Sequence, residues 1–237
     1  MLLYGTDDTL YDTDAKKWVI GSQGFRDSLE FVKTLKDEEL MPDAKDALEP
    51  TWSNTVPQKE LPEQKLAIAI DGSWVSLNWQ EGGATPWKDW AATMGTTAMP
   101  TQNGQGAGKV SLSGGWTWAI PKNSDNPKAA WDLIELLGDK EHQLEWAIKQ
   151  VQIPVRKDVA ADPEYAKANV SNEFFASLVP ITTYRPAYSV YPRISKEIQS
   201  ATESIATGTA SPEEAAKKYD EQVEGIAGDD VMSASGS

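Results

Sequence analysis

The feature that most constrains this chain is how its apolar residues are spaced. Phe25, Leu29, Val32 and Leu35 recur at helical intervals after Ser22, and Ala130, Trp131, Ile134 and Leu137 do so between Asn126-Pro127 and Gly138. Ile194, Ile198, Ala201 and Ile205 form a third such stripe, closed by Gly208. A fourth opens on Ser211-Pro212-Glu213-Glu214, a capping box with proline at the first helical position, and turns Tyr219 and Val223 inward. Between these helices lie short apolar runs of strand length: Lys65–Asp71, Val110–Leu112 and Trp116–Ile120, with another near Thr93–Met99. Leu66, Ile68 and Ile70 alternate with alanine, so the first of these runs is expected to be buried on both faces. A chain of 237 residues with this mixture has room for one large domain or two small lobes.

Residues 41–63 carry four prolines and predict loop with at most one short helix near Asp43–Leu48. Helices are predicted over about 139–150, after Asp162-Pro163 and over Asn172–Leu178, with an irregular aromatic stretch from Pro180 to Tyr191. Gly228–Ser237 reads as a frayed tail whose final Ser-Gly-Ser resembles an expression scar.

Charge and residue types exclude several functions. With 36 acidic against 22 basic side chains, the net charge of −14 opposes binding to nucleic acid or to an anionic membrane. The absence of cysteine removes a thiol nucleophile, a disulfide scaffold and a Cys-ligated zinc site. The single histidine, His142, lies in a polar helical stretch and reads as a surface residue. Gly104–Val110 has glycines but not the spacing of a phosphate loop, and reads as a connection between strands. Asp7, Asp8, Asp12 and Asp14 lack the spacing of an EF-hand and read as a solvated acidic turn. Neither a cofactor nor a metal is expected. Of the carboxylate pairs that could hydrolyse a glycosidic bond, only Asp71 and Glu81 stand in an aromatic setting, and no enzymatic activity is expected.

Ten tryptophans are many for this length. Those from Trp74 to Trp118 stand among Gly, Ser, Thr and Asn, a setting that suits stacking on the apolar face of a sugar ring.

Three stretches resemble the bacterial extracellular solute-binding proteins that include the maltose-binding proteins: Leu66-Ala-Ile-Ala-Ile-Asp-Gly-Ser-Trp74; Gly114-Gly-Trp-Thr-Trp-Ala-Ile-Pro-Lys-Asn-Ser124 with the helix opened by Asn126-Pro127; and Tyr191-Pro192 through the Ser211 helix. Tyr11–Leu35 is similar to the segment ahead of the first. The resemblance implies an α/β, two-lobed, periplasmic binding protein-like II fold. It assigns 1–112 and 166–230 to the second lobe, 113–165 to the first and 231–237 to a disordered tail, with much of the first lobe absent. It implies capture of a sugar or oligosaccharide outside the cytoplasm, periplasmic or lipid-anchored, for the membrane permease subunits of an ABC importer. The alternatives are a carbohydrate-active enzyme or its binding module, or a same-fold binder of a cationic or peptide ligand. By resemblance, Trp74, Trp79 and Trp116 supply stacking faces, Gly114 and Gly115 allow close approach of backbone, and Arg185 and Tyr188 face the ligand. Trp118 and Trp131 are expected in the core. The missing amino-terminal portion of the chain is expected to act as a partner, so that the 113–165 segment alone would expose apolar surface.

Overall fold

The computed structural model describes residues 1–234 and divides them into two compact units. The first comprises Met1–Trp52, Met99–Leu112 and the chain from Ile181 onward; the second comprises Ser53–Ala98 and Ser113–Pro180. Residues 53–98 and 166–180 therefore pack with the 113–165 segment, which differs from the boundaries expected from the resemblance.

The first unit is built on the helices with the clearest stripes. Ser22 accepts a hydrogen bond from the Phe25 N–H at 2.9 Å and starts the Gln23–Asp37 helix. Asp8 ties down the same end, accepting from Ser22 Oγ and from the Gly24 N–H, both at 2.7 Å. Within the acidic turn, Asp8 is thus a structural anchor rather than a solvated carboxylate. Gly24 is required there, because a Cβ would stand 2.1 Å from Thr6 Oγ1. The Tyr191–Ala206 helix ends at Gly208 with φ +71°, and the Pro212–Ala227 helix carries the predicted capping box between Ser211 and Glu214. Phe25, Leu29, Ile194, Ile205, Tyr219 and Val223 from the three helices close the core together with Trp18.

Two small sheets complete this unit. Tyr11–Asp12 pairs antiparallel with Lys17–Ile20, which pairs parallel with Val231–Ser233. The expected frayed tail is therefore a strand as far as Ser233, because Lys17–Ile20 offers an unpaired edge that these residues complete. The Trp18 N–H donates to the Asp230 carbonyl and the Ala234 N–H to the Ile20 carbonyl, both at 2.8 Å. Residues 235–237, which include the Ser-Gly-Ser end, lie outside the described residues. In the second sheet, Met99–Pro100 pairs antiparallel with Lys109–Ser113, which is joined by Thr182–Tyr184. Gly104, Gly106 and Gly108, all at positive φ, turn the chain between the first two strands.

The second unit departs from expectation at its strands. Lys65–Asp71 is not a strand and Ile68 is 80% exposed; Trp116–Ile120 is likewise irregular and unpaired, with Trp116 at 95%. A strand holds only through a ladder, and no described strand pairs with either run. The Pro127–Leu137 helix forms where predicted and ends at Gly138, but the Asn126 side chain makes no capping bond. None of its side chains is buried: Trp131, expected in the core, is 53% exposed, and Trp118 is exposed as well. The core of this unit lies elsewhere, in Leu61, Trp79, Ala147, Val151, Val159 and Tyr165. Asp139 caps the Lys140–Lys149 helix, accepting from the His142 N–H at 2.8 Å, and its carboxylate also meets His142 Nδ1 at 2.9 Å. Asp162 caps Pro163–Ala168. Within the proline-rich 41–63 stretch, Ala44–Ala47 is the predicted short helix; Trp52–Thr55 and a π-turn at Val56–Glu60 were not expected.

Candidate functional site

The predicted site residues fall into both units. In the second, residues Ser73–Trp79 form a 3₁₀ helix rather than the tail of a strand. Trp74 stands on its first turn, 48% exposed, with its ring folded over Gly72; a Cβ on Gly72 would lie 2.3 Å from that ring, so the indole position requires glycine. Asp71 accepts the Gly72 N–H at 2.7 Å, and partial desolvation pushes its carboxyl upward against that bond. Gly114, Gly115 and Trp116 form an exposed irregular segment, and a Cβ on Gly115 would meet nothing within 4 Å.

Trp79 has a different role from the one expected. It is 4% exposed, and its Nε1–H donates to the Pro57 carbonyl at 2.6 Å. The π-turn explains this bond. A carbonyl at Pro57 looks five residues ahead for its donor, and that residue is Pro62, which has no N–H. The indole supplies the missing hydrogen. Trp79 is thus a structural post, packed edge-on to Trp87 (5.5 Å, 78°) and tilted against Trp90 (5.7 Å, 46°). Beside these rings opens a cavity of about 310 Å³ whose wall includes Trp87, Trp90, Glu81, Lys88 and Asn169. Trp87 and Trp90 were legible only as members of the tryptophan-rich stretch; nothing in their spacing distinguished them from Trp79.

In the first unit, Tyr188 packs on Tyr11 (centroids 4.4 Å apart) and edge-on to Trp18 (6.0 Å), while remaining 46% exposed. A hydrogen bond with the Tyr188 hydroxyl, followed by desolvation, pushes the Tyr11 phenol up to about 12. Arg185 lies at an apolar cavity of about 260 Å³ walled by Tyr4, Phe25, Leu29, Tyr191 and Ile198 among others. Its charge adds to burial in holding the Met1 amine below its usual range.

Trp74 and Trp116 are thus exposed indoles of the second unit, and only the position under the Trp74 ring requires glycine. The sequence profile of the bacterial extracellular solute-binding proteins matches residues 2–171, and the chain belongs to that family. A probable ABC transporter-binding protein of Deinococcus radiodurans is 29% identical over 170 residues, which cover 63% of this chain and 39% of that protein. An ABC transporter solute-binding protein of Thermotoga lettingae, solved bound with α-D-tagatose, superposes with a TM-score of 0.80 at 27% identity over 96% of this chain. The GacH receptor of Streptomyces glaucescens, solved unliganded and with acarbose, gives a TM-score of 0.81 over 96% of this chain at 22% identity, a likeness of fold alone. The chain spans 55% and 56% of those two structures. Its α/β architecture is that of these solute-binding proteins. The family and the matched structures are binding proteins rather than enzymes. Among the described residues no helix is long and apolar enough to cross a membrane.

Proposed function

We propose that this chain contributes the ligand-contacting surface of an extracytoplasmic binding protein that captures a sugar or oligosaccharide for an ABC importer, with the membrane permease subunits as its partners. The observation that carries this reading is Trp74. It is a half-exposed indole held over Gly72 at the start of a 3₁₀ helix, in a chain that matches a tagatose-bound relative over nearly its whole length. In the same unit Trp116 and the Gly114-Gly115 backbone offer a second unobstructed face; within the first unit, taken by itself, Arg185 and Tyr188 offer a fork of donors and a phenol. Such surfaces bind by stacking the ring's C–H face and satisfying its hydroxyls at the edge. Because the chain spans about half of the relatives it matches, transport is proposed for the whole protein.

Calorimetric titration of the full-length protein with maltose and with D-tagatose tests the reading. Trp74→Ala is expected to lose about 1–3 kcal/mol, roughly ten- to a hundred-fold in affinity, while the protein stays folded. A folded Trp74→Ala protein with unchanged affinity for whichever sugar binds would sink the assignment.

A further inference from the structure

The 310 Å³ cavity beside Trp79 belongs wholly to the second unit and to residues that the reading above does not use. The loop that forms it is fixed by its backbone. The Thr85 N–H donates to the Asn78 carbonyl at 2.8 Å and the Trp87 N–H to the Trp79 carbonyl at 2.9 Å, while the Gly83 N–H closes on Gln80 at 2.9 Å. Two glycines make the turn possible. Gly82 has φ +83°, and a Cβ at Gly83 would sit 2.4 Å from the Leu77 carbonyl oxygen and 2.5 Å from that of Asn78. Those are backbone atoms and cannot swing aside, so the loop is preorganised. It holds Trp87 and Trp90 partly open on the buried Trp79 post.

The polar groups around these indoles are available. Neither Glu81 nor Lys88 forms an ion pair or a side-chain hydrogen bond among the described residues, and both are exposed. Asn169, at 7% exposure, gives one amide hydrogen to Ser76 Oγ at 3.0 Å and accepts the Ser171 N–H at 2.9 Å; its other amide hydrogen has no partner among the described residues. An unpaired carboxylate, an unpaired ammonium and a spare buried amide around aromatic faces match a neutral ring bearing hydroxyls.

We propose that this cavity is a second carbohydrate subsite, binding one neutral pyranose ring through its C–H face on Trp87 or Trp90. Glu81 accepts from the ring's hydroxyls, and Lys88 and Asn169 donate to them. At about 310 Å³ the space stands at the lower end of the roughly 300–1,000 Å³ of small-molecule sites, which suits a single ring rather than a chain. The inference rests on the carbohydrate reading above, but on different residues.

The test is saturation-transfer NMR on the full chain with methyl β-D-glucopyranoside and methyl β-D-galactopyranoside, with choline as the rival probe. Transfer is expected to be strongest to the protons of one ring face. Affinity is expected to fall at least tenfold in Trp87→Ala or Trp90→Ala, and severalfold in Glu81→Gln and Lys88→Met. The last two change exposed side chains without partners, so they carry the test if an indole deletion unfolds the unit. Pyranoside binding that survives all four substitutions overturns the inference. So does binding of choline with no transfer to either pyranoside, which would mark the indoles as a cation site. Either result leaves the calorimetric test of Trp74 standing as a separate judgement on the sugar reading.

Discussion

Tyr219→Phe removes one atom from the best-packed part of the protein. Tyr219 is buried in the Pro212–Ala227 helix, its ring 4.3 Å from that of Phe25, and its hydroxyl is the one fully buried side-chain polar atom without a hydrogen-bond partner among the described residues. Leaving such a group unsatisfied costs about 1–3 kcal/mol, and the substitution keeps the ring while removing the hydroxyl. A gain of about 1 kcal/mol is expected, or about 2–4 °C in melting temperature for a chain of this length. Titration gives an independent readout. Burial, aided by Asp220, Tyr4 and Tyr191, holds the Tyr219 phenol well above its usual range. A raised pKa in the folded state gives a stabilisation that is complete below the unfolded value, about pH 10, and is lost as pH rises through the folded value. Wild type should therefore weaken above about pH 10, and Tyr219→Phe should weaken less steeply. Tyr4 and Tyr165, each pushed up to about 12 by burial, leave a residual slope. Melts followed by circular dichroism at pH 7 and pH 10.5 measure both effects. A loss of more than about 1 kcal/mol at pH 7, or parallel slopes in the alkaline range, would show that the hydroxyl has a partner and that the reasoning is wrong.

Ser211→Ala breaks the capping box, in which the Glu214 N–H donates to Ser211 Oγ at 3.2 Å and the Ser211 N–H to Glu214 at 2.9 Å; chemical denaturation should show a loss of about 1 kcal/mol. Burial raises the Asp220 carboxyl, outweighing the Gly21 N–H and Arg26 that favour its charge, so its ionised form is the costly one. Asp220→Asn should accordingly raise the melting temperature at pH 7 and leave it unchanged near pH 3, where the native carboxyl is already neutral. Gly83→Ala drives a Cβ into two backbone carbonyls, and near-UV circular dichroism should register displacement of the tryptophan loop along with a lower melting temperature. The exposed Ile68, Trp116, Trp118 and Trp131 predict self-association of the isolated chain, measurable by light scattering during size exclusion; a monomer at all concentrations would count against it.

The sequence by itself determined the longer helices and most of their ends. Ser22, Asp162, Ser211 and Gly208 act within a few residues of themselves, through side-chain hydrogen bonds or a left-handed backbone turn. Apolar spacing likewise placed Phe25, Leu29, Ile194, Ile205, Tyr219 and Val223 inside, since a stripe on a helix has one face to bury. Tertiary structure decided which apolar runs became strands, Val110–Leu112 within Lys109–Ser113 but not 66–70 or 116–120, and it decided the roles of the tryptophans. Alternation at 66–70 and 116–120 signals strand propensity, but a strand needs a neighbour, and no described segment provides one. Val231–Ser233, which carries little strand signal, became a strand because the edge of Lys17–Ile20 was open to it. Trp74 and Trp79 look alike in sequence, and Trp131 stands on a helical stripe that its spacing would bury. Their contacts separate them: Trp74 lies half-exposed over Gly72, Trp79 is buried by the need of the Pro57 carbonyl for a donor, and Trp131 is left on an uncovered helix face. Burial depends on what arrives from elsewhere in the chain, and local spacing carries no record of that.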